Sequence, residues 1–220
     1  MDAQELTTRV REDLSDVEHR IRHHPWLAEL EAGRTPAAAL RAFAGEQLAI
    51  IPSDLRSFEM IAQRSGDEPA HGYLEGMAAG ERAALQALER FAAAAGLDDR
   101  QRQGYEPIPG CQAYPSFVAR LARDGTAAEV AGAFLVNLDA WGSCCARMAA
   151  ALPATYGFAA ADCAFFAQFA GPTTDLERAS LEVIDGGLAH GVDPAAVARA
   201  ARLLQAYELL YWDSLPQAIS

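Results

Sequence analysis

Tyr207-Glu208-Leu209-Leu210-Tyr211-Trp212-Asp213 closes a run that begins after Pro194. In it Leu203, Leu204, Tyr207, Leu210 and Tyr211 recur every three to four residues. That period marks one apolar face of an α-helix rather than an alternating strand. The spacing predicts a helix over 194–214 and, with it, an all-α chain. Glu208 sits on or beside the apolar face, one turn before Trp212. Carboxylates are rarely buried unless they are paired or given work. An acid among aromatics is therefore either a rim group at a solvated edge or the centre of a site.

Upstream, the same period predicts helices over 173–189, 157–170, 126–151 and 114–124. Residues 98–113 hold prolines, glycines and polar side chains and read mostly as loop. An alanine-rich helix is expected over 70–95, closed by Gly96, and Gly66-Asp67-Glu68-Pro69 reads as a turn. Thr35-Pro36 is a helix start. The helix that follows reaches about residue 51, is kinked by Pro52 and resumes to about Arg64. Trp26, Leu27 and Leu30 make a short helix before Gly33, and His23-His24-Pro25 separates it from a helix over 4–22. No alternating strand pattern, internal repeat or long linker interrupts the chain. The expectation is one domain over 1–220, a bundle of about seven or eight helices.

Of the 220 residues, 51% are hydrophobic, ample for one core. The formal charge of −12 repels phosphate backbones and anionic lipid, which argues against nucleic-acid or membrane binding. All 18 basic residues are arginine, so lysine Schiff-base chemistry is excluded. No secretory signal pattern and no uncharged apolar run of about 18 residues is present, so a cytoplasmic protein is expected. Cys111, Cys144, Cys145 and Cys163 lack metal-ligand spacing, and the adjacent Cys144 and Cys145 read as small core fillers.

The order of several signals resembles one known family. His24-Pro25-Trp26-Leu27, Gly33-Arg34-Thr35-Pro36 and a helix carrying Glu46-Gln47 are similar to the opening of the TenA family. Ala128-Glu129-Val130, the stretch Gly171 to Arg178 and the Tyr-Glu-x-x-aromatic-Trp ending are similar to its later parts. The resemblance covers roughly residues 15–215 and implies a haem-oxygenase-like bundle around a small-molecule pocket. That superfamily also holds PqqC-like cofactorless oxidases, di-iron oxidases and haem oxygenases.

Carried over residue by residue, the resemblance makes Glu208 the catalytic acid/base. It places Tyr114, Trp141 and Tyr211 among the pocket aromatics. The nucleophilic cysteine of thiaminases falls on Asn137, the pyrimidine-binding aspartate on Gln47, and a tyrosine one turn later on Ile50. Asparagine cannot act as an activated thiolate. Cys144 and Cys145 lie two turns further on. Glu46, beside Gln47, could instead face Glu208 as a paired carboxylate. Neighbouring residues on a helix are about 100° apart, so only one of Glu46 and Gln47 points at the pocket centre; the alignment favours Gln47.

No metal or other cofactor is expected. The di-iron pattern His-x-x-x-Asp-x-x-His corresponds to Gly171, Asp175 and Arg178, without either histidine. His71 and Glu75 are one turn apart, yet two ligands do not make a site, and Glu81 and Glu89 on the same helix add no histidine. His19 lies too near Pro25 to serve as the axial ligand of a haem oxygenase, and Trp141 would crowd a porphyrin. His24 reads as a cap at the helix break, His23 as solvent-facing and His190 as a C-terminal loop residue. Phosphate loops, nucleophile elbows and Cys-x-x-Cys are absent.

The primary functional expectation is a TenA-like hydrolase of a small heteroaromatic or amine substrate, with C–N chemistry related to thiamin and aminopyrimidine salvage. Glu208 would be its acid/base, and Gln47, Tyr114, Asn137, Trp141 and Tyr211 would hold the ligand. The alternatives are a PqqC-like metal-free oxidase or cyclase and a non-catalytic ligand-binding regulator. A homo-oligomer, dimer or tetramer, is expected by the resemblance.

Overall fold

Local signals start most of the helices. In the computed structural model, which describes residues 1–66 and 69–219, Asp2 accepts from the Glu5 backbone while Glu5 reaches back to the Asp2 amide, starting α1 (Ala3–Asp13). Leu14 leaves helical geometry (φ −101°, ψ 3°) and separates α1 from α2 (Ser15–Arg22). The single helix expected over 4–22 is therefore two. His24 caps α3 (Pro25–Glu31): its Nδ1 accepts from the Trp26 amide at 3.3 Å and its Nε2 lies 3.1 Å from Asp213. α4 (Ala37–Arg64) runs through Pro52 without ending. α5 (Ala70–Ala94) follows; the turn read at Gly66-Asp67-Glu68-Pro69 falls partly outside the described residues.

The segment read as loop over 98–113 is largely helical. Asp98 and Gln101 form a capping box that starts α6 (Asp99–Gln103). Pro109 occupies the first turn of α7 (Pro109–Asp124), where its missing N–H is not needed. Thr126 and Glu129 cap α8 (Ala127–Tyr156), which contains Pro153 and ends at Gly157 in the left-handed region (φ +73°). A 3-10 turn over 160–163 leads into α9 (Ala164–Phe169), followed by α10 (Thr174–Ala189) and α11 (Pro194–Ser214). The described residues thus hold eleven α-helices and no strand. Eight of them are eight residues or longer, in line with the expected seven or eight; α3, α6 and α9 are shorter, and α6 lies in the segment read as loop.

The long helices pack as a bundle: α4 on α5, α8 on α10 and α11, and α7 on α4 and α11. Gly132 allows the α8–α11 approach, since a Cβ there would lie 2.4 Å from Val197 Cγ1. The deepest side chains are aromatic. Phe43 packs against Trp26, Phe91, Phe166, Tyr211 and Trp212, so α3, α4, α5, α9 and α11 share one core. No described helix is long and apolar enough to cross a membrane.

The face of α11 is turned from the one its apolar residues suggest. Leu210 is 39% exposed, whereas Gln205 and Glu208 are buried beside Leu204, Tyr211 and Trp212. Glu208 takes an interior position because it borders a cavity, and Gln205 because it bonds to α8 through Asn137 and the Val136 carbonyl.

Candidate functional site

The cavity lies among α4, α5, α7, α8, α9 and α11 and has a volume of about 70 Å³. Helical period explains its walls. Gln47, Ile50, Ile51 and Asp54 occupy successive turns of α4 on one side. Phe134, Asn137, Leu138 and Trp141 do the same from α8. Met77 and Glu81 come from α5, Tyr114 from α7, Phe169 from the end of α9, and Glu208 and Tyr211 from α11. Met77, Leu138, Trp141 and Phe169 are half-buried and mark the side nearest solvent. All six residues named from sequence, Gln47, Tyr114, Asn137, Trp141, Glu208 and Tyr211, border this one cavity.

Glu208 is 4% exposed. Its Oε1 accepts from the Trp212 indole N–H at 2.8 Å, an i, i+4 contact along α11. Burial pushes its pKa up to about 7, while the Trp212 indole and the Asn137 amide favour the charged form and hold it from rising further. The carboxyl is therefore poised to both take and give a proton near neutral pH. Asn137 is fixed by Gln205: its Nδ2 donates to Gln205 Oε1 at 3.3 Å, and Gln205 Nε2 donates to the Val136 carbonyl at 3.1 Å. Gln47 Nε2 donates to the Tyr211 hydroxyl at 2.9 Å, tying α4 to α11 behind the ring.

The pairing of Glu46 with Glu208 is not formed, and Glu46 is not on the outer face. It is fully buried on another side of α4. Its Oε1 accepts from the Tyr105 hydroxyl and the Ile108 amide, both at 2.7 Å, and its Oε2 from Gln112 Nε2 at 2.6 Å. Glu46 thus holds the connection between α6 and α7 against α4, and Gln47 is the member of the pair that reaches the cavity.

Two carboxyls were missed as site residues. Asp54 and Glu81 are 2% and 8% exposed and both line the cavity. Asp54 Oδ1 and Glu81 Oε2 are buried without a hydrogen-bond partner. Desolvation raises the pKa of Glu81 to about 8. Asp54 is raised well above its ordinary value by desolvation and by the nearby charges of Glu81 and Glu208. A signal existed: Asp54 lies two turns after Gln47 on the same side of α4, and Glu81 interrupts the apolar stripe of Leu74, Ala78, Ala84 and Leu88.

The remaining sequence candidates lie elsewhere. The four cysteines are buried free thiols, none borders the cavity, and burial raises Cys144 to about 12. His71 Nδ1 faces the Ala62 carbonyl at 3.0 Å, while Glu75 is exposed. His23 and His190 are exposed. Among the described residues no group of three or more His, Cys, Asp or Glu is arranged to hold a metal ion.

Solved structures share this arrangement of helices at low sequence identity. A TenA homologue protein from P. horikoshii OT3 superposes with a TM-score of 0.78 at 16% identity, covering 97% of this chain and 99% of that one. A putative TenA-like thiaminase from Sulfolobus solfataricus gives 0.73 at 10% identity, covering 96% and 95%. A domain of unknown function with a heme oxygenase-like fold from Shewanella denitrificans gives 0.75 at 12% identity, covering 100% and 92%. No curated protein sequence matches the chain. The profile of one family spans residues 11–214, from α1 to the last residue of α11 and so across every wall of the cavity. With the haem-oxygenase-like bundle in place, that match makes the chain a member of the TENA/THI-4/PQQC family.

Proposed function

We propose that this protein is a hydrolase of the C–N bond of a small heteroaromatic or amine substrate, with Glu208 as its general acid/base. The observation that supports this most is a buried glutamate, held by Trp212, whose pKa near 7 suits both halves of such a reaction. The thiaminase likeness of one solved relative points to the same substrate class.

The nucleophile is water. Asn137 stands where the resemblance places the thiaminase cysteine, and no thiol borders the cavity. Glu208 takes a proton from a water as its oxygen attacks the carbon that carries the leaving nitrogen. It then returns that proton to a leaving amine nitrogen as the C–N bond breaks; a thiazolium nitrogen leaves as the neutral ring and takes none, so there the proton passes on to solvent. Asn137 and Gln47 supply amide groups for polar edges of the ligand, and Tyr114, Trp141 and Tyr211 supply faces and hydroxyls. The half-buried Trp141 and Phe169, in edge contact at 5.8 Å, border the side nearest solvent, by which a ring would enter.

The test is turnover of thiamin, followed as released thiazole, and of aminomethylpyrimidines, followed as released ammonia, by wild type and Glu208→Gln. Turnover that the substitution removes supports the assignment. Equal rates in the two proteins overturn it.

A further inference from the structure

Asp54 and Glu81 are not needed for the hydrolysis just described, and their surroundings are unusual. They come from different helices, α4 and α5, and meet the same cavity. No hydrogen bond from a described residue reaches either carboxyl, and one oxygen of each is wholly buried without a partner. The cavity wall contains no arginine or histidine, and the chain has no lysine. A buried acid with no donor is expensive to keep. Helix packing would be served better at both positions by an apolar residue of similar size. The other wall residues are largely aromatic or apolar, with Tyr114, Phe134, Trp141, Phe169 and Tyr211 presenting rings. Ring faces attract cations. Two acceptor groups without donors, inside an aromatic box without a cation, are complementary to a small group that brings both a positive charge and several N–H donors.

We infer that Asp54 and Glu81 form a recognition subsite for the ammonium or amidinium group of the substrate, distinct from the acid/base at Glu208. An ammonium has three N–H donors and one charge, which matches two unpartnered carboxyls. On binding it displaces one of the protons that the two carboxyls otherwise retain, the other carboxyl staying protonated, so a proton is released as the cation enters. A metal ion fits less well, because the pair lacks a third ligand within reach among the described residues. The inference rests on the cavity being the ligand site, and it narrows the substrate to a molecule that carries a cationic amine or amidine group toward Asp54 and Glu81 and presents a separate C–N bond to Glu208.

Binding of methylammonium, benzylamine, benzyl alcohol and benzoate to the full-length protein, measured by calorimetry at neutral pH in buffers of different ionisation heat, tests it. Wild type should bind at least one of the amines about tenfold or more tighter than benzyl alcohol. Amine binding should release protons to the buffer. Asp54→Asn and Glu81→Gln should each reduce the amine-over-alcohol preference to within about threefold, and the affinity for benzyl alcohol should stay unchanged. Glu208→Gln should retain the preference. No saturable amine binding at millimolar concentration, equal affinity for amine and alcohol, or a preference that survives the double Asp54→Asn, Glu81→Gln variant would each overturn the subsite. So would stoichiometric iron, manganese or zinc that is lost with Glu81→Gln. Turnover that depends on Glu208 without any amine preference would remove the subsite and leave the hydrolase reading intact. Amine preference without such turnover would do the reverse.

Discussion

Glu46 and Asp54 stand two turns apart on α4, and both are shielded from solvent. Glu46 gathers a tyrosine hydroxyl, a backbone amide and a glutamine amide. Asp54 gathers none and faces Glu81 and Glu208 across a cavity. Burial alone does not separate a structural acid from a working one; the supply of donors does. A satisfied carboxylate fastens a connection, whereas an unsatisfied one is a standing demand for a ligand or a proton.

The sharpest way to break that contrast is at Glu208, the member with one strong donor. Glu208→Gln should lower turnover of a competent substrate by roughly 10²–10⁴ while leaving the fold intact, as read by kinetics beside circular dichroism. Unchanged kcat would move Glu208 to the structural class with Glu46. The next effect concerns Glu46. Glu46→Ala strands the Tyr105 hydroxyl, the Ile108 amide and the Gln112 amide, at a cost of about 3 kcal/mol or more. A drop of about 6–12 °C in Tm is expected on heating, since each kcal/mol is worth about 2–4 °C at this size.

Glu81→Gln should act in the opposite direction. At about pH 8 it removes an ionisation that the interior opposes, so Tm should rise by a few degrees, on the order of 1–2 kcal/mol. Below about pH 4, where the folded and the unfolded wild-type acid both hold the proton, the two proteins should melt together. A fall in Tm at the higher pH would show that Glu81 is satisfied in solution and does not belong with Asp54.

The fourth expectation is the pH profile of the wild type. The folded-state pKa values of Asp54, Glu81 and Glu208 are raised above those of the unfolded chain. Below about pH 4 both states hold these protons and the three groups impose no penalty. From there toward pH 8 the unfolded chain ionises freely and the folded chain resists, so these groups make stability fall as pH rises. The slope is about 1.4 kcal/mol per pH unit for each group that retains its proton. Ligand-free protein should therefore melt lower at pH 8 than at pH 6, and Glu81→Gln should flatten the curve. A profile that rises over the same window would mean that the three carboxyls find donors.

How far the sequence discloses this molecule follows from the same physics. Helical period in apolar residues is a strong signal, so most of the long helices are legible; Gln47, Tyr114, Asn137, Trp141, Glu208 and Tyr211 come to notice through the resemblance to the TenA family rather than through the period. The His24 cap is legible because proline follows it. Asp54 and Glu81 are hard to see because polar residues on helices usually face water. Only the three-dimensional path of α4 beside α5 shows that this stretch of each helix faces a hole. The start of α7 is hidden for a different reason. The prolines near residue 109 read as loop, although one at the first turn of a helix is a start signal. The turned face of α11 misleads in the same way, since Leu210 looks like core and Gln205 like surface.

The three tryptophans of the chain meet at this site. The Trp212 ring centre lies 5.7 Å from that of Trp26 and 6.0 Å from that of Trp141, and the indole N–H of Trp212 is bonded to Glu208. All the indole emission of the protein therefore originates within one cluster, and one emitter is bonded to the buried Glu208 carboxyl. Loss or gain of a proton at Glu208, or a ring entering beside Trp141, changes the field at those chromophores. The native protein thus carries its own optical reporter, free of any label, for a change of charge or occupancy in the cavity.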